Sequence, residues 1–317
     1  MIGRRSAGKI LVTPRSLTAD GLSAPELKPL TASGFELVSG PPGRTPESNE
    51  LLELVRPCVG WLAGVERIGR SVLGEARSLR VISRNGVGVD NIDLEAAQQG
   101  RVAVMRAPGA NAEAVAELTV GLMLSALRQI AASDRAIRAG AWQRHLGREL
   151  GSSTVGLIGL GVIGRTVARM LQGFGSTVVA CDPMVTSSPE ARLVDLDELL
   201  RTSDVVTLHL PAQSDRTPLI GDRQLAAVRP GTVLVNTARA SLVDQRAVLH
   251  ALDDGRLGAY AVDVFDHEPP APSWLYRHEN VIATPHVGGF THEGVRRATQ
   301  AAVTNLLEVL SPQPSGR

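Results

Sequence analysis

Short aliphatic runs alternate with segments of helical spacing through residues 10–104. The runs 10–12, 35–38, 59–62, 81–83 and 102–104 read as buried strands, with helices over 47–55, 68–76 and 93–99 among them. A parallel strand pair needs a crossover, most often a helix, so this alternation predicts a parallel sheet. Asp93 stands where it would cap the third helix.

Residues 112–127 carry apolar side chains at helical spacing with Glu113 and Glu117 among them, which predicts a long, mostly buried helix after the Pro108-Gly109 turn. A second α/β series starts at Thr154, with strands over 154–158, 177–181, 205–208, 232–235 and 259–262 and helices between. The pattern changes again near Pro285, and residues 293–310 form a last amphipathic helix stopped by Ser311-Pro312. The tail beyond Pro312 is expected to be disordered.

Length and composition fit this division. A chain of 317 residues exceeds the size at which one core stops growing, so two domains are expected. Hydrophobic residues make up 43% and charged residues 21%, which argues against extensive disorder. The 3% aromatic share leaves few stacking platforms, and 33 basic against 32 acidic residues leave no polyanion footprint, so no nucleic-acid partner is expected. Cys58 and Cys181 lack CxxC spacing and read as buried thiols in a reducing compartment. Arg4, Arg5 and Lys9 precede an apolar run too short for a signal-peptide core. The longest apolar stretch, 118–127, falls far short of the roughly 20 residues that span a bilayer. A cytoplasmic protein without a membrane partner is expected.

The strand 154–158 opens into Gly159-Leu160-Gly161-Val162-Ile163-Gly164, a GxGxxG between a strand and a helix. Gly159 permits the tight turn, Gly161 the approach of backbone to a pyrophosphate, and Gly164 the packing of helix on strand. The amides of this turn, Val162 and Ile163 included, stand at a helix N-terminus with its partial positive charge. Asp182, at the end of the next strand, would accept from ribose hydroxyls and repel a 2′-phosphate, and no Arg follows within 183–186. NAD is therefore expected rather than NADP; a turn-capping role before Pro183 is the plain alternative for Asp182. The predicted fold class is α/β: a Rossmann domain over 107–285, inserted into a flavodoxin-like parallel-sheet domain made of 1–106 and 286–317.

Three polar clusters follow at expected strand ends: Asn236-Thr237-Ala238-Arg239, residues 263–269, and Thr284-Pro285-His286-Val287-Gly288-Gly289. Ligands of open parallel sheets bind outside the carboxyl ends of the strands, so these loops are expected to converge. Hydride transfer from a secondary alcohol needs a base for the hydroxyl proton, and His286 suits that task near neutral pH. Glu268 would orient the ring through its other nitrogen, and Arg239 would grip a substrate carboxylate with two hydrogen bonds. Each has a plain reading too, as a surface charge, a solvated loop acid and a satisfied histidine. No metal is called for.

Taken together, the glycine loop, Asn236-Thr237-Ala238-Arg239, Asp263-Val264-Phe265, Glu268-Pro269 and Pro285-His286-Val287-Gly288 resemble the D-isomer-specific 2-hydroxyacid dehydrogenase family. The likeness extends to residues 84–93 and to Pro108-Gly109-Ala110-Asn111 with Glu117, and is strongest to the 3-phosphoglycerate dehydrogenase branch in its short form, without a regulatory domain. The resemblance implies a catalytic triad of Arg239, Glu268 and His286. It implies that Arg84, Asn85 and the amides of Val87 and Gly88 bind substrate, and that His209, Pro211, Thr237, Ala238, Asp263 and Gly288 lie along the cofactor, with Asp263 on the nicotinamide amide. A turn after a strand is the alternative for 86–88. It further implies a homodimer through the helical region after Asn111, with Trp142 and Arg144 reaching the neighbouring subunit's site, a plain surface position being the alternative for Arg144.

The chain departs from the family's usual pattern at Ala240-Ser241, where two glycines are common, which puts substrate choice in doubt. Glu268 stands where formate dehydrogenases carry glutamine, which disfavours that activity. No serine feedback is expected of the short form. The expected activity is NAD-dependent hydride transfer at C2 of a small 2-hydroxy or 2-oxo acid, within a cleft that closes against water. A phosphorylated acid like 3-phosphoglycerate is the first expectation, with Arg56, Arg84 and Arg144 as phosphate partners. Hydroxypyruvate, glyoxylate, phosphonopyruvate and, behind them, oxidation at phosphorus are alternatives; an NAD-sensing corepressor is the non-enzymatic one.

Overall fold

The structure, a computed structural model, describes residues 7–213, 215 and 217–311. Arg4, Arg5 and the tail from Pro312 lie outside them. The described residues up to Asn111 join those from Thr291 onward in one unit, and Ala112–Phe290 forms the other.

The first unit is a five-stranded sheet of β1 (Gly8–Val12), β2 (Phe35–Ser39), β3 (Cys58–Ala63), β4 (Val81–Arg84) and β5 (Ala103–Met105). Its order is β2-β1-β3-β4-β5 with every pairing parallel, the flavodoxin-like arrangement. Alternate residues of a strand face opposite sides, so Leu11 enters one apolar layer while Ile10 and Val12 enter the other. The second layer is closed by the last helix, His292–Leu310, through Ala302, Val303, Leu306 and Leu310. Gly60 eases this closure, because a Cβ there would lie 2.8 Å from Leu310 Cδ1 and push that side chain aside. Asn305 Nδ2 donates to the Arg106 carbonyl (2.9 Å) and Arg80 Nη2 to the Val309 carbonyl (2.9 Å), which fixes the helix along the sheet.

The second unit holds β6 (Thr154–Ile158), β7 (Thr177–Cys181), β8 (Arg192–Leu193), β9 (Val205–Leu208), β10 (Thr232–Asn236), β11 (Leu257–Val262) and β12 (Val281–Ala283). The order β12-β11-β10-β9-β6-β7-β8, again all parallel, contains the doubly wound dinucleotide arrangement with one strand added at the edge. Val233 and Val235 face one core layer and Leu234 the other. The helix Ala112–Leu127 covers one face with Ala116, Val120, Leu122 and Met123. No single helix among the described residues is long and apolar enough to cross a membrane.

Several elements escaped the sequence pattern. The helices Arg15–Thr18, Lys28–Ala32 and Ile130–Arg138 were not expected, nor were β8 and β12. The Ile130 helix is short and buries no residue, and two- or three-residue strands are too short for a periodicity. Both unit boundaries lie about five residues later than expected. Residues 107–111 stay with the first unit, where Ala107 N donates to the Gly86 carbonyl (3.0 Å), and 286–290 stay with the second, held by the Asp263 carboxylate.

Leu306 is wholly buried under the first sheet. Leu306→Ala should cost roughly 2–5 kcal/mol of stability, read as a lower urea midpoint; an unchanged midpoint would show that the last helix does not close that core.

Candidate active site

Three adjacent strands deliver the chemistry of the second unit. Asn236 of β10 pairs with Val262 of β11, and Val262 pairs with Ala283 of β12, so the loops beginning at 236, 263 and 284 emerge side by side at the carboxyl end of the sheet. The convergence expected for them follows from this register.

Glu268 and His286 meet: Glu268 Oε1 lies 2.6 Å from His286 Nδ1. That contact leaves Nε2 as the ring nitrogen free to exchange a proton with another molecule. Both side chains are about half exposed, at 42% and 50%. His286 itself sits at φ +52°, a left-handed conformation that a non-glycine residue adopts only when its surroundings impose it. The imposition comes from Asp263, 1% exposed, whose Oδ1 accepts from Thr284 Oγ1 (2.6 Å) and Val287 N (2.9 Å) and whose Oδ2 accepts from Gly288 N (2.8 Å). Donors on both sides of His286 thus converge on one carboxylate. Asp263 was expected on the nicotinamide amide; both its oxygens are engaged within the protein, where they shape the histidine loop.

Arg239 stands in a loop closed on itself by Asn236, which accepts from Ala238 N (3.0 Å) and donates to the Arg239 carbonyl (2.9 Å). Thr237 fastens that loop to the Ala112 helix through its hydroxyl, 2.9 Å from Thr119 Oγ1. Burial pushes the Tyr260 phenol, which hydrogen-bonds Asn236, well above its ordinary range, so it remains a neutral hydroxyl.

The glycine loop follows β6, the strand between β7 and β9 where the winding direction of the sheet reverses, which is where ligands of such sheets bind. Gly159 has φ +96°, and a Cβ there would lie 2.4 Å from the His209 carbonyl. A Cβ on Gly164 would lie 2.3 Å from the Gly159 carbonyl. At Gly161 it would meet nothing in the protein, so that glycine keeps space open on the outer side of the turn. Gly161 also caps the helix Val162–Phe174 without a side chain, which leaves the first amides of Val162 and Ile163 to an anion. Asp182 takes the turn role: Oδ2 accepts from Leu160 N (2.7 Å) and Oδ1 from Met184 N (2.9 Å), and the residue stays partly exposed. These features fit a dinucleotide.

His209 packs against this loop beyond β9, its amide donating to the Ile158 carbonyl (2.7 Å), with Pro211 exposed beyond it. Although the residue keeps some surface, its ring is deep enough that desolvation dominates and pushes its pKa down to about 3. It is therefore neutral, with Nε2 3.2 Å from Thr207 Oγ1.

In the first unit, Arg84, Asn85, Val87 and Gly88 lie at the carboxyl end of β4, all half-buried. Arg84 Nη1 bonds the Asn85 carbonyl, and Asn85 Oδ1 accepts from Thr299 Oγ1 (3.2 Å). Among the described residues the amides of Val87 and Gly88 donate to no protein acceptor. Arg56 is not a phosphate partner in this arrangement: it precedes β3, at the opposite end of the sheet, and pairs with Glu53 (2.8 Å) and Glu75 (3.0 Å). Arg144 is exposed in the second unit. Among the described residues no cluster of three or more His, Cys, Asp or Glu could hold a metal ion. Thr119 went unnoticed in the sequence; a lone threonine inside an apolar helical run was its only signal.

The description "D-isomer specific 2-hydroxyacid dehydrogenase, NAD binding domain" matches residues 120–288. D-3-phosphoglycerate dehydrogenase of Methanocaldococcus jannaschii is 39% identical over 82% of this chain and 51% of its own length. Hydroxypyruvate reductase of Thermotoga maritima is 35% identical over 83% of this chain and 89% of its own. The TT0316 protein of Thermus thermophilus superposes with a TM-score of 0.87 at 35% identity, covering 97% of this chain and 99% of that one. The chain belongs to the D-isomer specific 2-hydroxyacid dehydrogenase family and carries its NAD binding domain. It spans about half the length of the phosphoglycerate dehydrogenases it matches.

A histidine held neutral in the fold but titrating near 6.5 when unfolded takes up more protons in the unfolded state, so stability is complete above about pH 6.5 and declines as pH falls toward about 3. The slope contributed is at most about 1.4 kcal/mol per pH unit. Urea midpoints of wild type and His209→Gln, compared from pH 7 to pH 5, should show the wild type losing more; parallel curves would mean that His209 is not buried neutral.

Proposed function

We propose that this chain is an NAD-dependent oxidoreductase moving a hydride between nicotinamide and C2 of a small D-2-hydroxy or 2-oxo acid. The 2.6 Å contact between Glu268 and His286 carries the reading, because it gives the histidine a fixed orientation and one nitrogen for a substrate proton. Bound NAD supplies the hydride acceptor, and in its reduced form the donor. In oxidation, His286 takes the hydroxyl proton as the C2–H pair leaves and the carbonyl forms; in reduction it returns that proton to the oxygen. Glu268 stabilises the imidazolium, and Arg239 holds the carboxylate and polarises the reacting oxygen. In the first unit, Arg84, Asn85 and the amides of Val87 and Gly88 are read as substrate-binding, as the family resemblance implies.

Relatives named D-3-phosphoglycerate dehydrogenase support a phosphorylated acid as the substrate, and the Thermotoga relative supports hydroxypyruvate. A panel of 2-oxo acids, with phosphorylated and phosphonylated members, followed by NADH absorbance separates these, and binding of NADH without turnover of any acid would favour a sensor. His286→Ala should lower kcat roughly 10²- to 10⁴-fold with NADH affinity nearly unchanged; near-normal turnover would sink the mechanism.

The protein is read as a cytoplasmic homodimer. Free Cys58 and Cys181 suit a reducing compartment. Trp142 is 83% exposed and Leu146 fully so, beside the Ile130 helix that buries nothing, and apolar surface of this kind marks an interface. Light scattering should give a dimer for the wild type and a smaller species for a Trp142→Ser, Leu146→Ser variant; a monomeric wild type would refute it.

A further inference from the structure

Thr119 is completely buried in the middle of the Ala112 helix, and its hydroxyl oxygen lies 2.8 Å from the Val115 carbonyl and 2.9 Å from Thr237 Oγ1. A carbonyl only accepts, and a hydroxyl has a single proton. The proton of Thr119 is therefore committed to Val115, and the contact between the two threonines carries the proton of Thr237. Thr237, 9% exposed, is left with lone pairs and no proton to offer.

The same helix touches both catalytic loops. Thr237 stands two residues before Arg239 and ties to the Ala112 helix a loop that Asn236 closes on itself and that the Asp263 amide holds through the Asn236 carbonyl. A Cβ on Gly288, two residues after His286, would lie 3.4 Å from Val115 Cγ2 and 3.7 Å from Leu118 Cδ2.

We propose that Thr119 is a positioning residue that fixes the polarity of Thr237: Thr237 meets the bound dinucleotide as an acceptor, for a hydroxyl or carboxamide N–H donor, and the Arg239 loop is kept in register. The proposal rests on the dehydrogenase reading. Thr119→Val keeps the shape but leaves the Thr237 proton without its acceptor, so that hydroxyl turns to whatever else accepts.

Fluorescence titration with NADH alone tests it. Thr119→Val should weaken NADH binding about fivefold to tenfold, the weight of one neutral hydrogen bond, and Thr119→Ser should restore wild-type affinity. Adding Thr237→Val to Thr119→Val should cause no further loss, since the pair acts as one unit. With the acid that the panel identifies, the valine variant should raise KM more than it lowers kcat, because Arg239 remains but is displaced. If the valine variant does not fold, Thr119→Ala against Thr119→Ser gives the same comparison. A valine variant that binds NADH as the wild type does, even with a lower melting temperature, overturns the proposal by reducing Thr119 to a packing residue. A wild type that binds no NADH overturns the dehydrogenase reading itself, which is a distinguishable result.

Discussion

The Asp263 carboxylate is almost wholly removed from water and is met by donors from Thr284, Val287 and Gly288. A buried charge is tolerable only when such donors replace its hydration, and in return it dictates where those donors lie. His286 sits among them, its backbone bent into a left-handed conformation, with its ring turned to Glu268. The Asp263 amide donates to the Asn236 carbonyl (3.0 Å), so the same residue joins the histidine loop to the arginine loop. One buried acid thus organises the ends of three neighbouring strands.

Close packing does for the dinucleotide loop what charge does for the catalytic loops. Gly159 and Gly164 are squeezed against backbone carbonyls that no rotamer change can move aside, while Gly161 faces open space. The first two let helix and strand meet, and the third keeps the turn accessible to a pyrophosphate. Gly60 eases packing in the other unit, where a Cβ would meet the side-chain ends of Leu310 and Leu306 from the last helix.

Most strands were legible because buried parallel strands are near-continuous apolar runs, and the Ala112 and His292 helices because their apolar positions keep helical spacing over four turns or more. Glu268 and His286 were legible as chemistry, since hydride transfer calls for an oriented base, and the resemblance raised them above plain surface residues. Asp263 was legible as a site residue, but its engagement with 284–288 depends on how β11 and β12 align across a strand too short to recognise. Arg56 illustrates the reverse: its charge suggested phosphate, and its position before β3 puts it at the wrong end of the sheet.

By itself the sequence determined the α/β class, the two-part chain, the glycine turn and the residue types for hydride chemistry, because periodicity, turn chemistry and proton affinity are local properties. Tertiary structure decided the boundaries of the two units, the seventh strand, the confinement of the His209 ring and the hydroxyl pairing of Thr119 with Thr237. Those depend on contacts between residues far apart in the chain, 118 positions for Thr119 with Thr237 and 199 for Arg106 with Asn305, for which no local pattern carries a record.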